Sequence, residues 1–215
     1  MIINIMAGGP AETLPDFKVL DEGDCLWVGV DRGALTLLEE GIKPDIAIGD
    51  FDSVNNSEWE KIKGNTAKLV TAKPEKDETD LEMAVNWALS MRPEKIQLYG
   101  ATGGRMDHFL GNLQLLLKPI LEHNDIPIIM ADKQNLVSAA GPGSHVVREI
   151  EGFKYISFIP VTPAVEDLTL EGFKYTLAGA KLPLGSTLCI SNEFDKEAGH
   201  FSFSKGILMV VRSKD

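Results

Sequence analysis

Asp50 and Asp52 stand two residues apart in the stretch IGDFDSV, directly after an apolar run. In an extended chain, side chains two apart point the same way, so these two like charges repel unless a cation lies between them. A third carboxylate, Asp80, ends the stretch KPEKDETD at 73–80. Three carboxylates gathered at one edge suit a hard divalent cation with oxygen ligands, as Mg2+ requires. Zinc does not fit, because no Cys or His stands at ligand spacing. Mg2+ usually shares its shell with substrate phosphates, so the expected occupant is a magnesium ion carrying a polyphosphate.

A second group lies in GATGGRMDH, residues 100–108. Gly103-Gly104 lets backbone N–H groups approach an anion closely. Asp107 can cap the helix that follows. Arg105, just before that cap, should face the sheet edge, where a guanidinium suits a phosphate. The plain alternative is a tight turn with a surface arginine. Thr79 followed by Glu82 reads as a capping box that starts a helix at Asp80. Asp77 on its own reads as a complement to the helix dipole. His108 reads as a helix-start residue and not as a base.

The elements that would position these groups are legible in the periodicity. Short apolar runs at Ile2–Ala7, Cys25–Val30, Asp45–Ile48, Lys68–Thr71, Ile96–Gly100 and Ile128–Ala131 read as strands. Between them, Leu81, Ala84, Val85, Ala88 and Leu89 fall at helical spacing. So do Phe109, Leu110, Leu113, Leu116, Leu117 and Ile120, with a shorter set at Ala34, Leu35 and Leu38. Alternating strands and helices predict a mostly parallel sheet covered by helices. Ligands of such sheets bind beyond the carboxyl ends of the strands. The loops there carry Gly8-Gly9-Pro10, Asp31-Arg32-Gly33, Gly49-Asp50-Phe51-Asp52-Ser53, and the two stretches above.

Beyond about Lys133 the pattern changes to short strands separated by Gly and Pro: HVVREI, KYISFIPV, VEDLTL, TLCISNEF and HFSFSKGILMVVR. Ser204-Lys205-Gly206 reads as a hairpin turn. The fold class is therefore an α/β domain at 1–133 followed by an all-β sandwich at 134–215.

Composition narrows the function. The chain has 215 residues with 44% apolar content, enough for a real core. Its formal charge of −11 argues against nucleic acid as a partner, since phosphate-backbone binding needs a basic surface. No apolar run approaches a membrane span. The opening MIINIMAGGP has no basic n-region, so a cytoplasmic location is expected. Cys25 and Cys189 sit in apolar strand-like contexts and read as buried thiols. No GxxxxGK[ST], GxSxG or protein-kinase motif set appears, and no GxGxxG follows the first strand.

Four pieces together resemble the thiamine pyrophosphokinase family: GVDRGALTLLEEGIKPDIAIGDFDS at 29–53, KDETDLEMA at 76–84, GATGGRMDHFLGNLQLL at 100–116 and SNEF at 191–194. The resemblance implies transfer of a pyrophosphoryl group from ATP to the hydroxyl of thiamine, giving thiamine diphosphate and AMP. It implies an N-terminal α/β domain and a C-terminal β-sandwich, working as a homodimer with active sites at the interface. It makes Asp50, Asp52 and Asp80 the magnesium carboxylates. It sets Asp77, Thr79, Arg105 and Asp107 beside the phosphates and the reacting hydroxyl. Gly8, Gly9, Asp31, Arg32, Lys76, Thr102, Gly103 and Gly104 would lie near ATP. Tyr175 takes the place where many members carry tryptophan, and it joins Ser191 and Asn192 at the thiamine. Arg32 stands where a glycine is common, and Lys76 where some members carry glutamine. The competing expectations are another magnesium-dependent phosphate enzyme built on Asp-x-Asp, and a non-catalytic nucleotide sensor.

Overall fold

The computed structural model describes residues 1–17, 24–71 and 77–215. The chain divides into two compact units, Met1–Lys133 and Gln134–Asp215.

In the first unit, strands β1 (Ile2–Met6), β2 (Cys25–Val30), β3 (Ile46–Gly49), β4 (Lys68–Thr71), β5 (Lys95–Tyr99) and β6 (Ile128–Ala131) lie in the order β6-β5-β1-β2-β3-β4. Every neighbouring pair is parallel. The strands read as nearly unbroken apolar runs because a parallel sheet is covered on both faces. Ile3, Ile5, Val28, Ile96 and Leu98 have no exposed surface at all. Asn4 and Gln97 are the polar exceptions on adjacent central strands. The Gln97 side-chain amide donates to Asn4 Oδ1 at 3.1 Å and to the Tyr99 hydroxyl at 2.8 Å, which satisfies both inside the core. The order runs outward from β1 on one side, then returns to β5 on the other. The reversal of strand order lies between β1 and β5, and the loops leaving these two strands meet through Gly9 N–H and Gly100 O at 2.8 Å.

The helices are α1 (Arg32–Glu39), α2 (Asn56–Asn65), α3 (Asp80–Ser90), α4 (Met106–Leu115) and α5 (Lys118–Leu121). The single helix expected through Ile120 is broken at Leu116–Leu117. Pro119 offers no N–H and its ring excludes the carbonyl one turn earlier, so the chain restarts as α5. Helix α2 has no counterpart in the periodic reading, because Ile62 is its one buried residue. Its start is nonetheless written in the sequence. Asn55 accepts from Ser57 N and Glu58 N, and Glu58 reaches back to Asn55 N, a complete capping box.

The second unit is a sandwich of two antiparallel sheets. One orders β12 (Asn192–Glu193), β9 (Tyr155–Pro160), β14 (Leu208–Ser213) and β7 (Asn135–Ala140). The other orders β11 (Leu177–Pro183), β10 (Ala164–Glu171), β13 (Ala198–Phe203) and β8 (Gly143–Arg148). Their inner faces share one core, in which Phe158 of the first sheet meets Phe201 of the second at 5.1 Å between ring centres. Ser204-Lys205-Gly206 is not a hairpin turn. It carries the chain from β13 in one sheet to β14 in the other, and Ile207 N anchors the crossing on Thr162 Oγ1 at 3.0 Å. TLCISNEF is a strand only at Asn192–Glu193; Cys189 turns inward and is buried in the shared core.

Candidate active site

Asp31 ends β2 and leads into α1 with φ 47° and ψ −120°, a backbone that a non-glycine residue adopts only under strain. What holds it there is local. Its N–H donates to the Ile48 carbonyl at 3.0 Å, and its Oδ1 accepts from Phe51 N at 3.2 Å. Both bonds tie the end of β2 to the end of β3. The carboxylate also lies over Gly49, where a Cβ would meet Asp31 Oδ1 at 1.8 Å.

The loop after β3 is not extended. Phe51 takes φ 58° and buries its ring against Trp59 of α2, 4.7 Å between centres. That turn separates the two aspartates that an extended chain would align. Asp50 stays half-buried, whereas Asp52 is exposed and donates its N–H to Asp50 Oδ1 at 3.1 Å. Oxygen atoms of Asp31, Asp50 and Asp80 all lie within 4.8 Å of one another. Of the expected magnesium carboxylates, Asp50 and Asp80 stand in this cluster, Asp52 stands beside it, and Asp31 takes the third corner.

Asp80 is delivered by the start of α3. Thr79 is the N-cap, and its hydroxyl oxygen accepts from Glu82 N at 3.1 Å. The box is not closed from the other side, because the Glu82 carboxylate pairs with Lys118 at 2.8 Å. Asp77 is exposed, outside the cluster.

The cluster is electrostatically costly without a cation. Burial first, then the charges of Asp80, Asp50 and Asp52, together raise Asp31 to about 6 against the lowering effect of the Phe51 N–H. Three convergent carboxylates, half-buried and mutually repelling, could hold a hard divalent cation, and Mg2+ fits such a set of oxygen donors.

The loop after β5 is a clasp of main-chain contacts. Gly9 N donates to Gly100 O at 2.8 Å, and a Cβ on Gly9 would meet that oxygen at 2.3 Å. The Gly9 N–H is thus occupied within the protein. Gly8 is exposed beside it. Gly103 packs against the Thr13 methyl, and Gly104 is exposed. Thr102 is about nine-tenths buried, and its hydroxyl donates to Asp132 Oδ2 at 2.9 Å.

Helix α4 starts two residues earlier than a cap at Asp107 would set it. Arg105 occupies the N-cap position, so Asp107 is not the cap but sits in the first turn, where it complements the helix dipole. Arg105 Nε donates to Asp107 Oδ1 at 3.1 Å and Nη2 to Oδ2 at 2.5 Å. With the Arg105 bond first and the His108 N–H second, Asp107 is lowered to about 2. His108 is exposed in the same turn. Arg32, at the first position of α1, points its guanidinium to within 3.7 Å of Glu58. Lys76 lies outside the described residues.

In the second unit, Tyr175 is 60% exposed and Ser191 is exposed with φ 56°. Asn192 differs from both, being 2% exposed. Its Oδ1 accepts from Tyr175 N at 3.0 Å and its Nδ2 donates to Tyr175 O at 2.8 Å, so it acts as a strand would, pairing both polar groups of Tyr175. Lys174 Nζ lies 5.6 Å from the centre of the Tyr175 ring and 3.1 Å from Glu193.

Two residues absent from the sequence reading hold the loop after β5. Asp132 binds Thr102, and Asn112 of α4 donates to Ala101 O at 2.9 Å. Asp132 directly follows β6, and its place at the carboxyl end of a strand was the available signal.

Comparison with known proteins agrees with this layout. A sequence model described as "Thiamin pyrophosphokinase, catalytic domain" matches residues 17–130, and one described as "Thiamin pyrophosphokinase, vitamin B1 binding domain" matches residues 144–208. The chain is 48% identical to the thiamine pyrophosphokinase of Bacillus subtilis (strain 168), covering 99% of each chain. A crystal structure of the Bacillus subtilis thiamine pyrophosphokinase superposes with a TM-score of 0.94 at 47% identity, covering 100% of both chains. That of the Geobacillus thermodenitrificans thiamin pyrophosphokinase gives 0.92 at 47% identity, covering 100% of this chain and 98% of the other.

Proposed function

This chain belongs to the thiamin pyrophosphokinase family, and on that premise we propose how its residues carry out transfer of the pyrophosphoryl group of ATP to the hydroxyl of thiamine. The reaction forms a bond from the thiamine hydroxyl oxygen to the β-phosphorus and breaks the bond from that phosphorus to the α-phosphate oxygen. The hydroxyl loses its proton and AMP leaves. The readings as another phosphate enzyme or a nucleotide sensor give way to this one.

The observation that carries the site assignment is the convergence of Asp31, Asp50 and Asp80 at the carboxyl edge of the sheet. These three would hold Mg2+, with Asp52 close enough to act on the same charge. Bound there, Mg2+ supplies charge neutralisation for the phosphates. Arg105 is the complementary cation from the loop after β5. Its Nε and Nη2 edge is engaged by Asp107, which orients the fork, and the side chain as a whole is 71% exposed. Asp77 and Thr79 stand at the start of α3, where backbone N–H groups favour an anion. Gly8, Gly103 and Gly104 leave their loops open to the nucleotide, while Gly9 and Thr102 shape those loops from within.

For thiamine we place Tyr175 and Ser191 in contact and Asn192 behind them, holding the Tyr175 backbone. Thiamine carries a fixed positive charge, and the Tyr175 ring already attracts the Lys174 ammonium. A homodimer with active sites at the interface completes the reading. It is supported by apolar side chains left exposed in each unit: Leu184, Leu188 and Ile190 in the second, Met106 and Leu110 in the first. A cytoplasmic location goes with it, and no helix among the described residues is long and apolar enough to cross a membrane.

Subunit mixing tests the composite site. An Asp80→Asn chain and a Tyr175→Ala chain, each inactive, are exchanged into heterodimers and assayed for AMP. Recovered activity supports sites shared between chains; no recovery in proven heterodimers means that each site is built from one chain.

A further inference from the structure

We infer that Asp132 is a positioning residue for the transfer, acting through Thr102 on the loop that presents Arg105. The inference rests on the role given to Arg105 above.

Arg105 is exposed, and the Asp107 that orients it lies two residues further along the same turn, so the pair moves wherever the loop moves. The place of the guanidinium is therefore decided by the start of α4 and by the backbone from 100 to 105 that leads into it. Among the described residues, that backbone is held by the first bond of α4, Phe109 N–H to Arg105 O at 3.0 Å, and by three further ties. Gly9 N–H holds Gly100 O, the Asn112 amide holds Ala101 O, and the Thr102 hydroxyl holds Asp132. The last of these three lies nearer Arg105 in the chain than the other two and is the only one of them that involves a charged group. A hydroxyl bonded to a half-buried carboxylate is stronger than a neutral pair.

Asp132 also comes from a different part of the sheet edge, the end of β6, so it references the loop to the sheet and not to itself. Its neighbour extends the same brace. Lys133 N–H donates to Thr13 O at 2.7 Å, and the Thr13 methyl supports Gly103. The dipeptide 132–133 thus ties the loop after β5 and the segment at Thr13, which follows β1. Asp132 stands outside the carboxylate cluster, so its charge is not explained by a metal there.

A buried core threonine with a satisfied hydroxyl would matter for stability alone. Positioning predicts more: a loss confined to turnover and dependent on Arg105. The experiment is a double-mutant cycle. Thr102→Val, Thr102→Ser, Arg105→Ala and Thr102→Val/Arg105→Ala are assayed for kcat and for both KM values, with thermal melts alongside. Misplacement of a catalytic group by about 1 Å can cost about a hundredfold, so Thr102→Val is expected to lower kcat about tenfold or more, with KM for thiamine within about twofold. Thr102→Ser, which keeps the hydroxyl, should recover most of the rate. In the Arg105→Ala background Thr102→Val should cost nothing further.

An unchanged kcat in folded Thr102→Val, a serine variant no better than valine, or the same loss in both backgrounds overturns the inference while leaving Arg105 in its role. An Arg105→Ala chain with normal turnover overturns the reading of Arg105 and this inference with it. Should Thr102→Val fail to fold, Asp132→Asn runs the same cycle, since it keeps an acceptor for the hydroxyl and loses the charge; its smaller loss must likewise vanish without Arg105.

Discussion

The Asp31 carboxylate lies directly against Gly49, so close that a Cβ there would sit 1.8 Å from Asp31 Oδ1. Gly49 also has φ 152°, which side-chain-bearing residues rarely adopt. Gly49→Ala must therefore strain its own backbone and push Asp31 out of the cluster. We predict a loss of about 2 kcal/mol of stability from the backbone alone. Activity should fall much further than stability accounts for. Denaturant melts and turnover on the same sample check both. A variant with normal turnover would show that Asp31 need not stand where it does.

Asp31→Asn separates repulsion from function. The neutral amide keeps an oxygen for Phe51 N and removes a charge facing Asp80 and Asp50. The sign follows from the raised pKa. Between the ordinary aspartate value of 3.8 and about 6, the folded chain holds a proton that the unfolded chain lacks, so the native aspartate loses stability as pH rises through that window. In EDTA the asparagine chain should melt higher than the parent above pH 6, and the advantage should shrink toward pH 4. Added Mg2+ should stabilise the parent and not the variant. Equal responses to Mg2+ would remove Asp31 from the metal site.

Much of this was readable from the chain, and the omissions have physical causes. The strands of the parallel sheet stand out because both their faces are covered, which leaves IINIM and IAIG almost wholly apolar. Thr79 announced the start of α3 through its side chain. Strand β11, LAGAKLP, escaped notice because Ala and Gly give no alternation to read. The family resemblance sets Asp31 near the nucleotide and not in the cluster, since its position depends on a positive φ and on two bonds to the end of β3, which spacing does not encode. Asp52 was aligned with Asp50 on the assumption of an extended chain, which the burial of Phe51 reverses. The family resemblance sets Asn192 at the thiamine, and its burial appears only once β12 is paired with β9.

Asn192→Ala tests the thiamine end. It removes a buried amide that pairs with Tyr175 N–H and C=O, and leaving those groups unmatched should cost about 2 kcal/mol. If Tyr175 meets thiamine, KM for thiamine should rise while KM for ATP stays put. An unchanged thiamine KM in a destabilised but folded chain would leave Asn192 a purely structural residue and remove Tyr175 from the site.

The most direct test of the account is a product analysis with ATP, Mg2+ and thiamine, run on the parent and on Asp80→Asn. Asp80 is the member of the cluster delivered by a capped helix, so its replacement should leave the fold in place. The parent should yield AMP and thiamine diphosphate in equal amounts. The asparagine chain, shown folded by its melt, should yield both at roughly a thousandth of that rate or less. Near-normal production of AMP by Asp80→Asn would contradict the assignment of the Asp31–Asp50–Asp80 cluster as the seat of the transfer.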